Sequence, residues 1–186
     1  MLIISKAWSM PNHNTFQMTP VRNLLRKYLN GKNVIVDPFA RNSTAATITN
    51  DLNPGTTAIY HMDAVDFLKM LEEDSADCVL YDPPYSSRQV SECYQGVGRQ
   101  VTALDTSARW RKQHLDEIKR ILKPDGVLIS FGWNSAGAGK GRGFETVEIL
   151  LIAHGGSKND TICTVEIKTG NRQANNIMEN QIEIEE

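Results

Sequence analysis

The chain has 186 residues, 40% of them hydrophobic and 23% charged, with a formal net charge of −2. Those proportions belong to a globular chain of one domain, or one domain plus tails. No apolar run approaches the roughly 18–20 residues of a membrane span, and Met1-Leu2-Ile3-Ile4 lacks the basic region and cleavage pattern of a signal peptide. Cys78, Cys93 and Cys163 are odd in number and scattered, which fits neither a disulfide framework nor a zinc site and points to a reducing cytoplasm with no metal centre. The slight net acidity argues against strong nonspecific binding to nucleic acid. Arg88, Arg99, Arg109, Arg111, Lys112, Lys140 and Arg142 nevertheless all fall after residue 85, as a local basic rim or as ordinary solvated charge.

In chain order, residues 1–19 read as irregular. Thr19-Pro20 reads as a helix start, with Thr19 as N-cap and Pro20 at the first helical position. Val21, Leu24, Leu25 and Tyr28 follow at helical spacing, and Asn30-Gly31 closes the helix. Val34-Ile35-Val36 is a short buried strand leading into Asp37-Pro38-Phe39. Thr47-Ile48-Thr49 is a second strand ending at Asn50-Asp51, Asn53-Pro54-Gly55 is a turn, and Thr57–Tyr60 is a third strand. Asp63 caps a helix carrying Ala64, Phe67, Leu68 and Leu71. Cys78–Tyr81 is a buried fourth strand that runs into Asp82-Pro83-Pro84-Tyr85.

Residues 86–104 lack periodicity and read as a long functional loop. A helix from about Thr106 to Leu122 places Leu115, Ile118 and Leu122 on one stripe, and Lys123-Pro124-Asp125-Gly126 breaks it. Val127–Phe131 is a fifth strand. After a glycine-rich stretch, Val147–Ala153 and Thr161–Ile167 form an antiparallel hairpin. The folded domain spans 1–169, and the polar, acidic tail 170–186 reads as disordered. Short buried strands alternating with helices, then a hairpin, define an open, mostly parallel α/β sheet. In such sheets ligands bind outside the carboxyl ends of the strands, and Asp37, Asp51, Asp63 and Asp82 all fall at or just after those ends.

Asp82-Pro83-Pro84-Tyr85 suits the activation of an exocyclic amine on a nucleobase. The lone pair of such an amine is delocalised into the ring. A carboxylate and a proline carbonyl that each accept one N–H pull the nitrogen toward sp³ geometry, while an aromatic ring stacks on the base. The prolines fix φ and stiffen the loop.

With these motifs in place, the chain from about Trp8 to Lys168 resembles a class I S-adenosylmethionine-dependent methyltransferase. More narrowly, it resembles the small adenine-specific DNA methyltransferases of phages and prophages. The resemblance implies a Rossmann-like sheet and S-adenosylmethionine as methyl donor, with S-adenosylhomocysteine as product. It also implies DNA as partner and a cytoplasmic location in a bacterium or an infected cell. Phe16 with Thr19-Pro20 resembles the segment beside the methionine end of the cofactor, and Asp37-Pro38-Phe39-Ala40 resembles the D-P-F-x-G-x-G-T cofactor loop. Asp51 lies where an acid binds the ribose hydroxyls, and Asp63-Ala64 where a carboxylate accepts from the cofactor's adenine amine. Asp82, Pro83, Pro84 and Tyr85 are the implied catalytic residues. Asp51 also reads as a turn residue, and Asp63 as a helix cap alone. Ser86, Arg88 and Gln89, beside the motif, and Lys140 and Arg142, in the glycine-rich loop, are the candidate nucleic-acid contacts.

Two departures stand out. The family loop has glycines where this chain has Arg41 and Ser43. The expectation is that Asn42 takes the left-handed conformation, and that Arg41 points away from the cofactor or toward its carboxylate. In addition, Pro38 to Ala46 gives nine residues between strands one and two, against about 10–12 for a helical crossover. The first crossover helix should then be absent or reduced, one sheet face near strand one uncovered, and a second copy or a companion recognition subunit packed there. Two other functions fit the same residues: an RNA base amino-methyltransferase, and a catalytically silent methyltransferase-like module that binds nucleic acid or a partner.

Overall fold

Seven strands in the order β1-β6-β7-β5-β4-β2-β3 form one sheet in the computed structural model, which describes residues 1–156 and 158–170. The strands are β1 (Ile3–Trp8), β2 (Ile35–Asp37), β3 (Ile48–Thr49), β4 (Ala76–Tyr81), β5 (Leu122–Gly132), β6 (Phe144–Ala153) and β7 (Thr161–Lys168). Only β7 runs antiparallel to its neighbours, β5 and β6. The helices are α1 (Thr19–Leu29), α2 (Ala64–Met70), α3 (Ser87–Gly96) and α4 (Ala108–Ile121). From β2 the chain steps outward to β3 and then returns to pair β4 on the other side of β2. That reversal splays the connections apart at the carboxyl ends of β2 and β4 and opens a crevice there.

Period-two alternation divides the core between the two faces of the sheet. Cys78 and Leu80 of β4 join Ile35, Ile129 and Val165 under Val21, Leu24 and Leu25 of α1. Val79 and Tyr81 join Val36 and Leu128 under Phe67 and Leu68 of α2 and Leu115, Ile118 and Ile121 of α4. Each large side chain fully buried in this way contributes roughly 1.5–3 kcal/mol, so β4, buried on both faces, is the structural centre.

The mixed sheet, the terminal hairpin and the missing first crossover helix all stand: no helix lies between β2 and β3. Five expectations are corrected. Residues 3–8 form β1, pairing parallel with β6 from Ile3↔Glu148 to Trp8↔Ala153. As a half-exposed edge strand, β1 shows no clean alternation, and tertiary pairing decides its state. Within 86–104, residues 87–96 are helical. Only Val90 and Tyr94 of α3 are buried, too few to show a stripe. Thr57–Tyr60 contributes a single bridge, Asn50 to Tyr60, and no strand. Lys123–Gly126 breaks the helix but lies inside β5: pairing with β4 jumps from Ala76↔Leu122 to Cys78↔Val127, and Asp125 takes φ +60° within the bulge. The N-cap of α1 is Met18, which puts Thr19 and Pro20 in its first turn.

The face near β2 is not bare. Ile35 is only 6% exposed, and Ala45 and Ala46 of the short crossover pack on that cluster beside α1. Apolar exposure gathers instead on β1, where Ile4 and Trp8 are each 64% exposed. The tail from residue 171 lies outside the described residues. Among those described, no helix is long and apolar enough to cross a membrane.

Candidate active site

A cavity of about 920 Å³ occupies the crevice at the carboxyl ends of β2 and β4. Its walls are residues 12–16, the loop 38–43 after β2, the turn 50–56, residues 62–64 at the start of α2, residues 82–85 after β4, and one side of α3 with Trp110 of α4. Phe16, Pro38, Phe39, Ala40, Asn42, Asp51, Asp63, Ala64, Asp82, Pro83, Pro84, Tyr85 and Gln89 all line this one space. The topology therefore converges segments that are far apart in the chain.

Each acid is held differently. Asp51 Oδ2 accepts from the Arg41 backbone N–H (3.0 Å) and Oδ1 from that of Asn53 (2.9 Å). It is a turn residue and a cavity-facing carboxylate at once. Asp63 caps α2 through Val65 N–H (3.0 Å), while its other oxygen accepts from the Tyr94 phenol (2.8 Å) and the Arg99 guanidinium (2.8 Å). Trp110 Nε1 donates to the Tyr94 oxygen in turn (3.0 Å). With Val90, Tyr94 and Trp110 packed as a small cluster on Phe39 and Leu52, α3 is a roof over the Asp63 end. Burial pushes the Tyr94 phenol up, so it stays a donor.

Asp82 stands at the other end. Its Oδ1 accepts from the Tyr85 phenol. Burial raises the Asp82 carboxyl above its ordinary value, opposed by that hydrogen bond, by Thr15 and by the charge of Arg41. The Tyr85 ring meets Trp133, just past the end of β5, edge-on at 5.7 Å. Gln89 Oε1 accepts from Tyr85 N–H (2.7 Å), and Ser86 Oγ accepts from Gln89 N–H (3.3 Å), so the first turn of α3 fixes the loop that carries the motif.

Asp37 does not line the cavity. It is fully buried beneath it, accepting Phe39 N–H at 3.0 Å on Oδ1, with no partner for Oδ2. Burial drives its carboxyl well above the usual carboxylate range, and the nearby Asp82 and Asp51 add to that. Asp37 is thus a buried prop for the loop, and its burial favours the protonated form. Thr19 and Pro20 line a separate groove of about 440 Å³ between α1 and β1. Arg88 is exposed and paired with Glu92 one turn on. Lys140 and Arg142 lie in a 3-10 turn outside the cavity wall, and Arg142 is paired with Asp116 of α4 (2.8 Å).

Two further residues matter. Asn50 is fully buried, and its side chain makes three bonds: Nδ2 to Pro38 O (3.1 Å) and Met62 O (3.1 Å), and Oδ1 from Met62 N–H (3.1 Å). It ties the loop after β2 to the start of α2. Arg41, not Asn42, takes the left-handed conformation, at φ +52°, while Asn42 Oδ1 accepts from Thr57 N–H (2.9 Å). The left-handed turn is therefore made with a side chain on it.

The fold is that of class I methyltransferases. No family model matches the sequence, and no curated protein is similar enough to match. Among solved structures, the chain is similar to 1,6-didemethyltoxoflavin-N1-methyltransferase of Burkholderia thailandensis with bound 1,6-didemethyltoxoflavin and S-adenosylhomocysteine (TM-score 0.57, 13% identity, 82% of this chain and 78% of that one). It is likewise similar to the N-methyltransferase NodS of Bradyrhizobium japonicum in complex with S-adenosylhomocysteine (TM-score 0.53, 12% identity, 86% and 90%). A putative methylase of Haemophilus influenzae has TM-score 0.50 at 12% identity over 87% and 92%. At such identities the likeness is one of fold.

The residues present suit the methyl donor of that fold. Asp51 and Asp63 are acceptors for hydroxyl and amine donors. The cavity wall is acidic, which suits a ligand with cationic sulfonium and ammonium groups.

Proposed function

We propose that the protein transfers a methyl group from S-adenosylmethionine to the N6 amine of adenine in DNA. The observation that carries this reading is the position of Asp82-Pro83-Pro84-Tyr85 at the carboxyl end of β4, opening on the same cavity as Asp51 and Asp63. The bound donor supplies an electrophilic methyl on a sulfonium. Asp51 takes the ribose hydroxyls, Asp63 takes the adenine amine of the donor, and the wall built by Phe16 and residues 38–42 closes around the rest. At the other end Asp82 and the Pro83 carbonyl accept the two N–H groups of the target amine and aim its lone pair into the cavity. The Tyr85 phenol, which donates to Asp82, yields that oxygen to the amine and leaves its ring to stack on the base. Trp133 backs Tyr85 and extends the aromatic wall outward.

The left-handed conformation of Arg41 keeps the cofactor loop turned, which counts against a silent module. The test is transfer of labelled methyl to unmethylated DNA, with ribosomal RNA in parallel, followed by digestion to nucleosides. Label in N6-methyladenine of DNA is the expected result. Label on RNA alone would transfer the reading to an RNA base, and no label on either would remove it.

A further inference from the structure

Four carboxylates line the cavity, those of Asp51, Asp63, Asp82 and Glu92, and Arg41 is the one lysine or arginine among the described residues that do so. It takes an unfavourable, left-handed backbone conformation there, φ +52°. For a residue with a Cβ, such a conformation is strained and persists only where the surroundings hold it. Here two bonds do so: the Arg41 N–H donates to Asp51 Oδ2 (3.0 Å), and Nη1 donates to the carbonyl of His13 (2.9 Å). The second bond draws the guanidinium across to the segment 12–16, which forms the opposite wall. A guanidinium has five N–H donors in a planar fork, so a single carbonyl leaves most of the fork for an anion.

Of the groups on S-adenosylmethionine, only the carboxylate of its amino-acid end is anionic. The sulfonium and ammonium face a wall that is otherwise acidic. The geometry points to Arg41 as the residue that binds this carboxylate, a positioning and selectivity role held by a side chain in a turn that glycine would leave empty. This rests on the methyl-donor reading above. The Arg41 backbone is anchored at Asp51, in the donor's half of the cavity, and the guanidinium reaches from there to His13, close enough to Asp82 for its charge to be felt. An arginine aimed at a carboxylate makes the strong, charge-assisted kind of hydrogen bond and discriminates sharply against a ligand that lacks it.

The experiment is calorimetric titration of the full chain with S-adenosylhomocysteine and with its decarboxylated analogue, in wild type, Arg41→Gly and Arg41→Lys. Glycine relaxes the backbone at this φ, so Arg41→Gly folds and its Tm does not fall. Wild type should prefer S-adenosylhomocysteine by about tenfold or more, as one charge-assisted contact allows. Arg41→Gly should lose that preference by weakening S-adenosylhomocysteine alone, and Arg41→Lys should recover part of it. A wild type that binds both ligands equally, or an Arg41→Gly that weakens both to the same degree, overturns the role of Arg41 and leaves the donor site standing. A wild type that binds neither ligand overturns both. Loss of DNA affinity in Arg41→Gly with S-adenosylhomocysteine affinity unchanged also overturns the proposal and reassigns Arg41 to phosphate.

Discussion

The two ends of the cavity are held by different forces. The end built by residues 38–63 has almost no regular structure: β3 is two residues long, and Tyr60 adds one bridge. Side chains bonded to backbone do the work of a ladder there. Thr47 Oγ1 accepts from Ile35 N–H (2.9 Å) and donates to Ile35 O (3.1 Å), Thr49 Oγ1 accepts from Ile59 N–H (3.0 Å), and Asn50 bridges Pro38 and Met62. The end that carries Asp82 stands on β4, β5 and β7, whose buried side chains are mostly apolar, with Ser130, Thr164 and Glu166 buried among them. A site held by polar bonds depends on the identity of each residue. A site held by packing depends on volume and tolerates exchange.

The sharpest way to break that contrast is Asn50→Ala. It leaves the buried Pro38 carbonyl and the half-buried Met62 N–H and carbonyl unpaired, at about 1–3 kcal/mol for a fully buried group, so a loss of about 3 kcal/mol is expected in urea unfolding. Ile129→Val in the packed half should cost about 0.5–1.5 kcal/mol. If the two costs came out equal, the contrast would be lost.

His114 gives a test by pH. It is fully buried under the Asp63 end, against Trp110 (ring centroids 4.3 Å apart) and hydrogen-bonded through Nδ1 to the Tyr81 phenol (3.1 Å). Burial lowers its pKa from 6.5 to about 4. The unfolded chain therefore takes up the proton near pH 6.5 and the folded chain only near pH 4. Stability should fall as pH drops through that window, by up to about 3 kcal/mol, and be unaffected by this group above it. His114→Phe should flatten the slope between those limits; an unchanged slope would mean that other groups set the acid lability.

Asp37 has the opposite sign. Its folded carboxyl is raised well above 3.8, the unfolded value. Folding is favoured while both states are protonated. It loses ground as pH rises through the range where the unfolded chain alone is ionised, by about 1.4 kcal/mol for each pH unit. Asp37→Asn should gain stability relative to wild type as pH rises from 4 to 8, about 1 kcal/mol or more at the upper end. A variant that instead loses ground toward pH 8 would show that Asp37 is ionised and paired.

What could be read from the chain divides along the same line. β4, α1 and α4 were legible because burial leaves apolar runs and stripes. β1 was not, since an edge strand with Ile4 and Trp8 in solvent has no period to see. The signal for α3 was present in Ser86 and Gln89, a capping pair three residues apart, but it was masked by the polarity of the segment. Asp51, Asp63 and Asp82 were legible because acids at strand ends are chemically conspicuous. Asn50 was hidden, because an asparagine before a turn looks local and its three bonds reach residues 12 positions away on either side. Asp37 showed the limit of the strand-end rule: one residue earlier than the cavity wall, it points into the core. At Arg41, intrinsic preference favoured Asn42 for the left-handed turn, and the bonds to Asp51 and His13 overrode it.

The central claim is that one end of the cavity holds the methyl donor and the other activates the target amine. Its most direct test is Asp82→Ala, assayed for methyl transfer to DNA and, in the same preparation, for affinity toward S-adenosylhomocysteine. The account predicts that transfer falls by about a hundredfold or more while affinity stays within about threefold, since the substitution removes a reaction-centre acceptor rather than uniform binding. Transfer retained at wild-type level with affinity intact would contradict it.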